Sequence, residues 1–93
     1  MKQATKRRAR TLLGEFSRSV GTETLNVRIY RDRHSCVCER EVVERDGTSF
    51  VMVFPFSEVD ALRDLLSADP YYGRVRGAVD SLVARVDRAL SAG

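Results

Sequence analysis

Hydrophobic and polar positions alternate with a period of two through the middle of the chain and recur at helical spacing on either side of it. Leu25, Val27 and Ile29 alternate with Thr24, Asn26, Arg28 and Tyr30, which predicts a strand over 24–31. A second strand is expected over 35–45 and a third over 48–56. In the third, Phe50, Met52, Phe54 and Phe56 fall on one side and Val51 and Val53 on the other, the pattern of a strand between two layers. Asp46-Gly47 reads as a two-residue hairpin loop, setting Arg45 opposite Thr48, Val43 opposite Phe50, Val42 opposite Val51 and Arg40 opposite Val53. A four-residue loop over 31–34 sets Ile29 opposite Cys36 and Val27 opposite Cys38.

This register divides the sheet. One face collects Leu25, Val27, Ile29, Cys36, Cys38, Val42, Val51 and Val53, with Arg40 as its one charge, and should be covered by helices. The other mixes Asn26, Arg28, Tyr30, Glu39 and Glu41 with Val37, Val43, Phe50, Met52 and Phe54, which suits a partly covered or binding surface. Pro55 fits only a strand at an edge or near its end.

The flanks read as helical. Ala9, Leu12, Leu13, Phe16 and Val20 suit an amphipathic helix over 5–19 that ends at Gly21. Ser57 is an N-cap candidate, with Asp60 closing a capping box and Val59, Leu62, Leu65 and Leu66 as the apolar stripe. Asp69-Pro70 stops that helix. Tyr71-Tyr72-Gly73 forms a loop, and a last helix over 74–90 carries Val75, Val79, Leu82, Val86 and Ala89 in steps of a short coiled-coil seam. The expected fold is α+β: a three-stranded antiparallel meander with an N-terminal amphipathic helix and two C-terminal helices, in the order α-β-β-β-α-α. Residues 1–20 form a basic arm, and 21–93 a single domain.

Length and composition agree with one modest core: 93 residues, 43% hydrophobic and 31% charged. The net charge of +3 is uneven. Residues 1–20 hold Lys2, Lys6, Arg7, Arg8, Arg10 and Arg18 against Glu15, so the basic character belongs to the head. No apolar run is long enough to span a membrane, and no apolar stretch follows the charged start as in a secretory signal. A cytoplasmic setting with reduced thiols at Cys36 and Cys38 is therefore expected.

Candidate chemistry is sparse. His34, Cys36 and Cys38 share a strand face, but zinc sites favour cysteines separated by two to four residues around a turn. The simpler reading is two core cysteines and a loop histidine, with no metal. Glu39 and Glu41 read as a solvated pair, and no nucleophile–base pair or glycine-rich phosphate loop is present, so neither an enzyme nor a cofactor is expected. Nucleic-acid binding has more behind it. Lys6, Arg7, Arg8 and Arg10 could neutralise phosphates, with Tyr30, Phe50 and Phe54 as stacking platforms beside Arg28. The alternative is a protein-interaction or homo-oligomerisation module, because the sequence holds more apolar surface than one small sheet and its helices cover. The order helix-strand-strand-strand-helix resembles the double-stranded-RNA-binding domain. However, Ser57-Glu58-Val59-Asp60 is acidic where that family is basic, and no residue role carries over. A strand meander followed by helix also loosely resembles the Pur and Whirly single-strand-binding modules, by element order alone.

Overall fold

The computed structural model describes residues 10–33 and 35–92. Four strands precede two helices: β1 (Thr11–Val20), β2 (Glu23–Asp32), β3 (Ser35–Val43), β4 (Ser49–Phe56), α1 (Val59–Ser67) and α2 (Tyr72–Ala92). The strands form one antiparallel sheet in the order β1-β2-β3-β4, and both helices pack on one face. The fold is α+β, as expected, but its order is β-β-β-β-α-α. The N-terminal helix is absent among the described residues, and the sheet has four strands rather than three.

The N-terminal correction has a definite cause. Phe16 and Val20 lie four residues apart, a spacing that puts two side chains on one side of a helix and equally on one side of a strand. On that strand face Gly14 precedes Phe16 and Arg18 lies between Phe16 and Val20, and neither being apolar hides the period of two. The Leu12-Leu13 doublet, which looks like part of a helical stripe, is a bulge: the register shifts between Leu12 and Gly14. Gly21, expected to end a helix, instead opens the tight β1–β2 turn with φ +72°. Glycine first in a two-residue loop suits a hairpin turn.

The β2–β3 connection is shorter than the expected four residues. Asp32 pairs with Ser35, so Ile29 faces Cys38 and Val27 faces Arg40. That slip of two residues leaves every side chain on its expected face. The β3–β4 slip is of one residue and does not. Glu44 N–H donates to the Thr48 carbonyl (2.7 Å) and Gly47 N–H to the Glu44 carbonyl (2.9 Å). With Gly47 at φ +93°, this is a three-residue loop with a glycine bulge in place of a two-residue Asp-Gly loop. Asp46 Oδ1 accepts from Thr48 N–H at 2.9 Å and holds the turn. Val42 therefore pairs with Phe50, Glu41 with Val51 and Arg40 with Met52, and the expected Val43–Phe50 pairing does not form. The two faces of β4 are exchanged: Phe50, Met52, Phe54 and Phe56 share the helix side with Cys38 and Val42, while Val51 and Val53 lie on the open side.

The core sits between the helices and the centre of the sheet. Leu25, Val27, Ile29 and Cys38 meet Leu62 and Leu66 of α1 and Val79, Leu82, Val83 and Val86 of α2, all essentially buried. The spacing of Val75, Val79, Leu82 and Val86 thus serves intramolecular packing. Backbone geometry at Val75 is non-helical and kinks the start of α2, which begins at Tyr72 rather than 74. The N-cap of α1 is Glu58, not Ser57, and it makes no side-chain cap bond. Gly14 lets β1 and α2 approach closely: a Cβ there would stand 2.8 Å from Leu82 Cδ1.

Arg40, a charge on the helix-covered face, is paired. Its guanidinium donates to both carboxylate oxygens of Asp69 in the α1–α2 connection, one contact being Nη2 to Oδ1 at 3.1 Å. Asp69 also accepts from Tyr71 N–H at 2.9 Å, and the Tyr71 hydroxyl donates to Glu23. This chain of contacts ties the connection between the helices to β2 and β3. No helix among the described residues is long and apolar enough to cross a membrane.

Candidate functional site

The residues singled out as a binding surface fall into three groups. Lys6, Arg7 and Arg8 lie outside the described residues. Arg10, Arg28 and Tyr30 come together on the open face of the sheet. Arg10 lies over the Tyr30 ring, 3.9 Å from its centroid, and pairs with Glu39 at 3.2 Å. Arg28 bridges Glu39 (3.3 Å) and Glu41 (3.2 Å), and the Asn26 amide donates to Glu41 at 3.2 Å. Two arginines thus meet two glutamates in one cross-strand ladder. Burial opposes the Arg28 charge, but hydrogen bonds to Glu39 and Glu41 outweigh it and raise the guanidinium pKa. The Asn26 amide and then Arg28 hold the Glu41 carboxyl below its ordinary value.

Phe50 and Phe54 are not part of that group. The one-residue slip in the β3–β4 hairpin puts them on the opposite side of the sheet from Arg28 and Tyr30. Phe54 is half-buried against the core, and Phe50 is exposed.

Cys36 and Cys38 are buried in the core, and His34 lies outside the described residues. Burial pushes the Cys38 thiol up to about 12 and raises that of Cys36. Among the described residues no group of three His, Cys, Asp or Glu side chains is placed to hold a metal ion.

The surface that stands out is β4 itself. Phe50 is 57%, Val51 51%, Met52 49% and Val53 56% exposed, so the strand presents apolar side chains on both faces at once. β4 ends the sheet, and among the described residues no strand pairs with its outer side. Alternation from the Glu44–Thr48 bond directs the backbone groups of Phe50, Met52 and Phe54 toward β3 and those of Ser49, Val51, Val53 and Pro55 outward. Pro55 therefore sits where its missing N–H takes nothing from the β3–β4 ladder. No charged residue lies between Ser49 and Phe56.

On the helix side the edge opens into a groove of about 440 Å³ lined by Arg40, Met52, Phe54, Leu65, Ala68, Asp69 and Pro70. The Arg40–Asp69 pair forms one wall, and the rest is apolar or backbone. Sequence reasoning missed Val51 and Val53 as surface residues and the groove altogether, because both follow from the hairpin register. The available signal was Gly47, which can close a three-residue loop as readily as a two-residue one. Comparison with protein-family models, curated proteins and solved structures finds no match.

Proposed function

We propose that this chain is a non-enzymatic protein-binding module that takes up an extended strand along β4. One observation carries the reading: an edge strand apolar on both faces, exposed from Phe50 to Val53 and without a charge along it. Natural edge strands are usually guarded by lysines, prolines, inward charges, bulges or covering segments; β4 carries Pro55 near its end, and the stretch from Ser49 to Val53 has no such guard and is a template for pairing. Strand addition supplies affinity through main-chain hydrogen bonds and specificity through side-chain pockets. Here the outward groups of Ser49, Val51 and Val53 would supply the bonds and the Met52–Leu65 groove the pocket.

The test is a fluorescence titration of the chain with a labelled octapeptide of the sequence Ser49–Phe56, an apolar extended segment. Saturable binding is expected, lost when alternate peptide nitrogens are methylated and lost in the chain variant Val53→Lys. Equal binding of both peptides, or none of either, would overturn the reading.

Nucleic-acid binding through the head is the second reading. Its support is the stack of Arg10 on Tyr30 of the open face. Glu39 and Glu41 work against it, since both stand among the same arginines. A salt-dependent titration with single- and double-stranded DNA and RNA, repeated on a chain lacking residues 1–10, decides it. Binding that is steep in salt and lost with the head would support this reading, and absence of binding at low salt would remove it.

A further inference from the structure

We infer that the strand taken up by β4 is β4 of a second copy of this chain, antiparallel, with the two-fold axis at Val51. Because the pairing uses the same edge, it rests on the strand-addition reading. Three features point to a second copy rather than to an unrelated partner.

The hydrogen-bonding edge is self-complementary in one register. With the axis at Val51, Val51 faces Val51 of the other copy, and Ser49 and Val53 face each other twice. All three are outward-facing residues, so each pair exchanges two main-chain bonds. Pro55, the outward residue without an N–H, falls opposite Gly47 in the turn, beyond the ladder. Moving the axis to Met52 would set Pro55 against Ser49 and lose a bond there.

The side chains on each face match. On the helix side, Phe50 of one copy comes next to Met52 of the other, at the mouth of the groove that Met52, Phe54 and Leu65 line. Phe50 is the most exposed large apolar side chain of the described residues. An aromatic ring against Met52 is a favourable contact in its own right. On the open side, Val51 of one copy meets Val51 of the other with Val53 diagonal to it, each beside Glu41 and Glu39 of its own β3.

Charge selects the same partner. β4 itself carries no charged side chain from Ser49 to Phe56, so two copies of the strand meet without like-charge repulsion between their own side chains. The four exposed side chains and the edge backbone would bury on the order of 1,000 Å² over both copies, near the lower limit for specific interfaces, so association depends on concentration.

Sedimentation equilibrium of the full chain over a concentration series, combined with single-cysteine cross-linking, tests the pairing. The expected mass rises from 10.5 kDa toward twice that value, and Phe50→Asp shifts the midpoint at least tenfold higher. Val51→Cys should cross-link between chains under mild oxidation, since residues directly opposite in a bonded pair lie about 5.5 Å apart at Cα, within disulfide range. Val53→Cys should not, since its symmetry mate lies four residues away along the strand. Wild-type chain is the control for the buried Cys36 and Cys38. A folded wild-type chain that stays at 10.5 kDa throughout overturns the pairing, as does cross-linking at Val53 in preference to Val51. If the chain stays monomeric yet binds the Ser49–Phe56 peptide, the second copy is excluded and the strand-addition reading stands; if neither occurs, both fall.

Discussion

Gly14 shows how one missing methyl group sets the distance between two elements. Any Cβ there meets buried Leu82 at 2.8 Å and the Arg85 stem at 3.2 Å, so one of them must shift. Gly14→Ala should destabilise the fold by about 1–3 kcal/mol, the usual cost of overpacking, measured by urea unfolding. Cys38 makes a second test at this scale. A thiol pushed up to about 12 is neutral and enclosed in the folded chain. It should resist thiol reagents at pH 8 until the protein unfolds. Its neutral form is favoured on folding, so its contribution to stability is complete below the ordinary value of 9.0 and is lost as pH rises toward about 12. Glu41 acts with the opposite sign. The Asn26 amide and Arg28 lower its pKa from 4.5, so its contribution is present above that value and disappears as pH falls through the folded-state pKa. Glu41→Gln should flatten the acid limb of a stability–pH curve; an unchanged limb would show that the ladder contributes nothing there.

At the scale of elements, the helices are anchored by polar contacts as well as by apolar packing. Asp69 has only 7% of its side chain exposed and receives both Arg40 and Tyr71 N–H. Removing either partner leaves the other charge largely buried, so Asp69→Ala and Arg40→Ala should each cost about 2–4 kcal/mol in urea unfolding. The double variant should cost less than the sum, because the second removal strands no charge. The sequence made β2, β3 and both C-terminal helices legible, since Leu25, Val27, Ile29 and the Val75–Val86 steps have a single periodic reading. It did not make β1 legible, because Phe16 and Val20 satisfy two periods and a bulge disguises Leu12 and Leu13. For β4 the existence of the strand and its edge position were legible from the apolar run and Pro55. Its facing was not, because Glu44-Arg45-Asp46-Gly47-Thr48 admits two loop lengths that differ by one residue. That one residue separates Phe50 and Phe54 from Arg28 and Tyr30 and dissolves the mixed aromatic-basic face expected from the chain alone.

For the whole molecule, the sheet has one face covered by helices, a second face crossed by an internally compensated charge ladder, and an uncovered apolar edge. Its three principal extents, 41 × 35 × 15 Å, describe a thin plate whose β4 side is available for extension. Placing one guard charge there should change association and leave the fold alone: Val53→Lys is expected to abolish self-association while shifting unfolding stability by no more than about 0.5 kcal/mol, as at other exposed sites. The most direct measurement is residue-resolved amide hydrogen exchange at several protein concentrations. Phe50 and Met52 amides, bonded to β3, should be protected throughout. Val51 and Val53 amides should be protected at high concentration and lose that protection on dilution, in step with the mass of the assembly. Free exchange at Val51 and Val53 at every concentration, with Phe50 and Met52 still protected, would contradict the pairing of β4 with a second strand.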